Sequence, residues 1–218
     1  LVPGDEYSVE MVSGRVVGIT RKHLGRLPYF VEAGHDYPAA APEAVERALA
    51  ETVVLATRVL GLEWGPLHWE LRVQEGRAVP IEVNPRLAGG FIPELVRHAQ
   101  GVDLILQTLR LVAGQAAELE PRHARNASIR FLFAPAAGRL AAVEGVEAAR
   151  ARPGVVDVSL YRSPGDELAL HGDFRDRIGH VMACADGFDA ASRAAAEARD
   201  AVRIQVASEE ATVAEGVA

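Results

Sequence analysis

Leu67-His68-Trp69-Glu70-Leu71-Arg72-Val73-Gln74-Glu75-Gly76-Arg77-Ala78-Val79-Pro80-Ile81-Glu82-Val83-Asn84-Pro85-Arg86 alternates apolar and polar side chains on both sides of a turn. That is the pattern of an antiparallel hairpin with one buried face. In the first strand, Leu67 to Val73, the residues Leu67, Trp69, Leu71 and Val73 share one face, while His68, Glu70 and Arg72 share the other. The second strand, Ala78 to Val83, is expected to lay Val79, Ile81 and Val83 on the apolar face. The two strands are expected to meet around a three-residue turn, Gln74-Glu75-Gly76, with glycine where a positive φ is needed. Glu82 and Asn84 then join Glu70 on the polar face.

Carboxylates placed opposite each other lie about 5 Å apart at Cβ and repel unless something cationic sits between them. Two carboxylates and an amide oxygen are hard donors that suit Mg²⁺, which keeps positions open for substrate phosphates. Arg86, two residues beyond Asn84, offers its planar fork to the same anion. The cluster reads as a phosphoryl-transfer site. The plainer alternative is a solvated hairpin face. It fits poorly with Glu82, Asn84 and Arg86 stepping at two-residue spacing into a loop that holds Pro85, Gly89 and Gly90.

Working outward, Glu6 to Val12 and Arg15 to Lys22 form a first hairpin across Ser13-Gly14. His23 to Pro38 reads as a long loop with one short extended stretch, Tyr29 to Ala33. Val45, Leu49, Val53, Ala56 and Leu60 recur at helical steps, so Pro42 to Leu60 is an amphipathic helix stopped by Gly61. Ile92 to Gln100 and Val102 to Ala113 are helices closed by Gly101 and Gly114. Periodicity lapses near Pro121, which divides residues 1–120 from a smaller unit at 121–210. That unit reads as strand Ala127 to Ala134, helix Val143 to Ala151, strands Val155 to Tyr161 and Arg177 to Ala185, helix Ala190 to Val202 and an extended Arg203 to Val206. Residues 211–218 read as a frayed tail. Trp64 and Trp69 are expected in the core, and Cys184 as an inert buried thiol.

With 218 residues, 49% apolar, the chain has enough apolar material for a sizeable core and is not a disordered segment. A net charge of −7 gives no general basic field for nucleic acid or an anionic membrane, so neither is expected as a partner. One cysteine excludes a disulfide framework and fits a cytoplasmic location. The chain opens on Leu1 inside a strand pattern, which reads as a fragment.

Glu82-Val83-Asn84-Pro85-Arg86, with Glu70 twelve residues upstream, resembles the metal-binding pattern of the ATP-grasp superfamily. Gly4-Asp5-Glu6-Tyr7-Ser8-Val9-Glu10, Phe30-Val31-Glu32-Ala33-Gly34-His35, Gly65-Pro66-Leu67-His68-Trp69-Glu70 and Asn84-Pro85-Arg86-Leu87-Ala88-Gly89-Gly90 look like its L-amino acid ligase branch. Asp176-Arg177-Ile178-Gly179 is a weaker signal in the appended domain. The resemblance implies an α+β fold: the C-terminal subdomain of an ATP-grasp lobe, mainly antiparallel sheet with flanking helices, followed by a small α+β domain.

The implied activity is an ADP-forming carboxylate–amine ligase that activates a carboxylate with ATP as an acyl phosphate and passes it to an amine. Glu70, Glu82 and Asn84 would hold Mg²⁺, with Mn²⁺ as a substitute, and through it the ATP phosphates. Arg86 would be catalytic, and Glu32, His35, His68, Gly89 and Gly90 would face the substrates, an amino acid carboxylate and an amine. The glycine-rich loop and adenine-gripping residues of such enzymes are absent from the chain. It is therefore expected to need the N-terminal half of the lobe, from the same polypeptide or a partner chain, and to be inactive alone. A half-lobe without its neighbour is expected to self-associate, as a homodimer, through the patch it normally buries. The alternatives are a non-catalytic interaction module and a biotin carboxylase-like enzyme.

Overall fold

A computed structural model describes residues 2–25 and 30–207. The strands are β1 (Asp5–Val12), β2 (Arg15–Leu24), β3 (Glu32–Tyr37), β4 (Pro66–Gln74), β5 (Arg77–Asn84), β6 (Asn126–Phe133), β7 (Gly138–Glu144), β8 (Val155–Leu160), β9 (Glu167–Leu168), β10 (Arg177–Ala185) and β11 (Arg203–Ala207). The helices are α1 (Glu43–Leu60), α2 (Ile92–Gln100), α3 (Leu104–Val112), α4 (Val146–Arg150) and α5 (Phe188–Ala201). None of these helices is long and apolar enough to cross a membrane.

Eight strands form one antiparallel sheet in the order β5-β4-β1-β2-β3-β6-β10-β8, and β11-β7-β9 form a small second one. This is the α+β architecture expected, a large antiparallel sheet with few helices. The sheet runs without a break past residue 121, because β3 pairs with β6 through Gly34↔Arg130 and Asp36↔Ser128.

Alternation decides the layers. Tyr7, Val9, Met11, Leu67, Trp69 and Leu71 face Leu49 and Val53 of α1 on one side of the sheet. On the other side the face stays polar through the β5-β4-β1-β2 end. It turns apolar beyond β3, where Ile129, Phe131 and Met182 meet Ile92, Leu95, Val96 and Ala99 of α2. The polar stretch is thus the floor of a site, bordered by α2. A third core gathers Leu140, Ala149, Val158, Ile178, Val181 and Ala198. Leu49 is fully buried, so Leu49→Ala is expected to cost about 2–5 kcal/mol, read as a lower urea midpoint with the slope kept.

Several local expectations are corrected. Glu75 and Gly76 both have positive φ (52° and 75°), so the hairpin closes in two residues rather than three. Glu70 pairs with Glu82 but Leu71 with Pro80, which makes Ile81 a bulged extra residue. Ile81 is therefore 50% exposed and Val79 lies across from Arg72, so neither joins Val83 on the apolar face. The extended stretch after β2 is Glu32–Tyr37, and Tyr29 lies outside the described residues, as does the tail at 211–218. Val143 belongs to β7, paired with Ile204 of β11, and α4 starts only at Val146. Trp69 is buried as expected, whereas Trp64 is exposed.

Candidate active site

Neighbours across an antiparallel ladder share a face, so register extends the hairpin's polar face over β1, β2 and β3. One row runs Glu82, Glu70, Ser8, Thr20, and the next runs Asn84, His68, Glu10. A third runs Arg72, Glu6, Lys22, His35. Glu32, opposite Leu24 beyond a register shift in the β2–β3 pairing, returns to that same face.

Lys22 stands at the centre, its side chain 2% exposed, with Nζ 3.0 Å from a carboxylate oxygen of each of Glu6, Glu32 and Glu70. Three ammonium protons meet three acceptors. Burial opposes the charge, but Glu32, Glu70 and Glu6 outweigh it and raise the pKa, so Lys22 is a fixed cation.

His68 bridges Glu10 (Nδ1 to Oε1, 2.8 Å) and Glu70 (Nε2 to Oε1, 3.0 Å). Desolvation works against its charged form, yet the bonds to Glu10 and Glu70 push it up to about 9. The His68 hydrogen bond, against burial and with help from Lys22, lowers Glu70 to about 2. All of Glu70's bonds fall on Oε1. That leaves Oε2 for a further partner.

Glu82 is exposed, and its Oε1 accepts from Asn84 Nδ2 at 2.5 Å, which leaves the Asn84 amide oxygen unused by that contact. Arg86 donates to the Leu87 carbonyl at 2.9 Å. Among the described residues no three His, Cys, Asp or Glu side chains form a complete metal cluster. What the hairpin offers is a partial set of two carboxylates and one amide oxygen. That donor chemistry fits Mg²⁺ completed by phosphate oxygens, and does not fit a self-sufficient protein cage.

Beside these groups lies a cavity of about 410 Å³. Of the nine residues expected from sequence, Glu32, His35, His68, Glu70, Arg86, Gly89 and Gly90 line it. Glu82 and Asn84 do not line it but share the sheet face with Glu70 and His68. Two effects oppose each other at Glu32: burial raises its pKa, while Lys22 and the Arg177 hydrogen bond bring it down overall. Its two oxygens are held by different cations, Oε1 by Lys22 at 3.0 Å and Oε2 by Arg177 at 2.6 Å.

His35 is buried, its ring edge-on to Phe131 at 5.6 Å, and neither ring nitrogen has a hydrogen-bond partner. Burial holds its pKa down at about 3, so the ring is neutral. Because this value is below the unfolded one, the unfolded chain takes up the proton first. Stability owed to His35 is complete above about pH 6.5 and is lost as pH falls towards about 3. Urea unfolding at pH 7 and pH 4 is expected to show an acid loss of a few kcal/mol, part of which disappears in His35→Phe.

The two glycines differ. Gly90 has φ +60°, and a Cβ there would lie 2.6 Å from His35 Nε2, while Gly89 has open space around it and no positive φ. The close approach is therefore between Gly90 and His35. Gly90→Ala is expected to lower stability by about 1–2 kcal/mol from the left-handed backbone alone, with His35 forced to move. Thermal unfolding of the variant checks this.

Sequence reasoning missed Lys22, Glu6, Glu10 and Arg177. The first three carry the same alternation as the recognised hairpin: Glu6, Ser8 and Glu10 in β1, Thr20 and Lys22 in β2. Arg177 lies in the weaker Asp176-Arg177-Ile178-Gly179 signal, but its partner Glu32 is 145 residues away and nothing local links the two.

Residues 1–94 match the family description "ATP-grasp domain", and residues 130–207 match "L-amino acid ligase C-terminal domain 2". Among curated relatives, the uncharacterized protein y4rH of Sinorhizobium fredii is 42% identical over 185 residues, covering 84% of this chain and 38% of that protein. Carnosine synthase 1 of Gallus gallus is 27% identical over 192 residues, covering 79% of this chain and 20% of that protein. The crystal structure of the L-amino acid ligase from Bacillus licheniformis superposes with a TM-score of 0.83 at 22% identity, a likeness of fold over 95% of this chain and 53% of that one. The chain spans about half, or less, of the length of these relatives.

Proposed function

The chain belongs to the ATP-grasp superfamily and carries the C-terminal domain 2 of L-amino acid ligases behind its ATP-grasp part, and from that premise we propose that it is the metal- and substrate-binding portion of an ADP-forming amino acid ligase. The observation that carries this reading is one cavity where an ionised Glu70, the cations Lys22 and Arg86, and the gripped Glu32 converge beside Glu82 and Asn84.

Glu70, Glu82 and Asn84 would hold Mg²⁺, or Mn²⁺ in its place, and the ion would supply charge neutralisation for the phosphoryl group being transferred. A substrate carboxylate oxygen attacks the γ-phosphorus, the bond to the β-phosphate oxygen breaks, and ADP leaves with an acyl phosphate formed. An amine then attacks the acyl carbon and expels inorganic phosphate, losing a proton to give the amide. Arg86 steadies the charge on the phosphoryl group in both steps. Glu32 and His35, with His68 and the Gly89-Gly90 backbone, orient the amino acid substrate. The adenine-gripping half comes from the remainder of the polypeptide or a partner chain, and this portion alone does not turn over ATP.

The test is ADP release by the complete polypeptide with Mg-ATP and amino acids, singly and in pairs. Release that requires amino acids supports the ligase; release that requires bicarbonate and biotin instead makes it a carboxylase. The exposed apolar row Ile105, Leu106, Leu109 and Val112 on α3 favours a second reading, an interaction module. That reading expects association through α3 and no turnover in a folded polypeptide that binds Mg-ATP.

A further inference from the structure

We propose that Arg177, from the C-terminal part of the chain, is a positioning residue that sets the place of the Glu32 carboxylate in the cavity. The geometry stands by itself, and only the kinetic consequence rests on the ligase reading.

The motif Asp176-Arg177-Ile178-Gly179 is built to aim this side chain. Asp176 accepts from the backbone N–H groups of His171 and Gly172, each at 2.8 Å, and so ties down the turn that leads into β10. Arg177 pairs with Phe133 and Gly179 with Leu132, so Ile178 is an extra residue in the ladder. A bulge of this kind re-aims the neighbouring side chain. Ile178 anchors the bulge in the third core. A Cβ at Gly179 would stand 2.5 Å from the Ser159 carbonyl oxygen, so only glycine lets β10 lie this close to β8.

From that base the Arg177 guanidinium crosses to β3. Its NH2 group donates to the Glu32 carbonyl at 2.9 Å and to Glu32 Oε2 at 2.6 Å. Its central carbon lies 3.7 Å from the Phe131 ring centroid, a stacking contact that limits its freedom. Glu32 Oε1 is taken by Lys22, so the carboxylate is gripped from both sides and its backbone is held as well. Lys22 also serves Glu6 and Glu70 and is confined by them. Arg177 is thus the one of the two grips that acts on Glu32 without also holding the metal-side carboxylate. Its loss frees one oxygen of Glu32 and leaves the Glu70 end in place.

The test uses the complete polypeptide with Arg177→Met, Arg177→Lys, Glu32→Gln and the double variant Arg177→Met/Glu32→Gln. Arg177→Met is expected to raise the amino acid KM roughly tenfold, with kcat and the KM for ATP within about threefold. Arg177→Lys recovers part of the loss. The double variant is expected to be no worse than Glu32→Gln alone, since the two residues act as one unit. Additive effects, or an equal rise in the KM for ATP, would overturn the proposal. Crystal structures of the wild type and Arg177→Met decide it independently of turnover. A Glu32 carboxylate displaced from Lys22 in the variant supports the assignment, and an unmoved one refutes it. Absence of ADP release from the wild type would sink the ligase reading and leave this structural comparison intact.

Discussion

Glu82→Gln in the complete polypeptide is expected to lower ADP release on the order of 10²–10³-fold, with the unfolding temperature unchanged. Glu82 is exposed on β5, and among the described residues its side-chain hydrogen bond is the one accepted from Asn84. The amide keeps the shape and an acceptor oxygen but removes a full negative charge from the donor set it forms with Glu70 and Asn84. Substitutions at such exposed positions usually change stability by less than about 0.5 kcal/mol, so fold and function separate cleanly here. ADP release and thermal unfolding on the same preparations check both halves. Wild-type turnover by the variant would remove Glu82 from the metal assignment.

Lys22→Met is expected to act the other way, through stability, at about 3–5 kcal/mol and roughly 6–20 °C in Tm. The ammonium is buried and neutralises parts of three carboxylates at once. Each retains a second partner, Arg72 for Glu6, Arg177 for Glu32 and His68 for Glu70, but the central charge they share is gone. Methionine fills most of the volume, so the loss is electrostatic rather than a cavity. Lys22→Arg is expected to fail nearly as badly, because a planar fork does not reproduce three bonds from a single nitrogen. Urea unfolding of the two variants measures this, and a midpoint close to wild type would show that Arg72, Arg177 and His68 are enough to hold the three carboxylates without Lys22.

What was legible in the sequence was whatever rests on short-range alternation. The β4–β5 hairpin, the helix from Glu43 to Leu60 with its Gly61 stop, and the meeting of Glu70 with Glu82 all follow from side-chain periodicity. The bulge at Ile81 was invisible because a one-residue insertion leaves the local pattern apolar, while shifting which residues face the core. β7 and β9 were missed for a related reason: β9 has two residues, too few for a period to show, and β7 ends one residue before α4 begins its capping turn at Gly145. The cationic half of the site was hidden by distance. Lys22 and Glu32 meet only through the register of β2 with β3, and Arg177 reaches Glu32 only because β6 carries the sheet from one part of the chain to the other.

Activation of a substrate carboxylate by direct phosphorylation can be followed with an isotope label. The complete polypeptide would be supplied with Mg-ATP, an amine and an amino acid carrying ¹⁸O in both carboxylate oxygens, and the released phosphate analysed by mass spectrometry. One ¹⁸O per phosphate, matched by ADP and amide in equal amounts, is the result expected of an acyl phosphate that the amine breaks. Unlabelled phosphate with ADP still formed would mean that water, and not the carboxylate, receives the phosphoryl group, and would rule out an acyl phosphate.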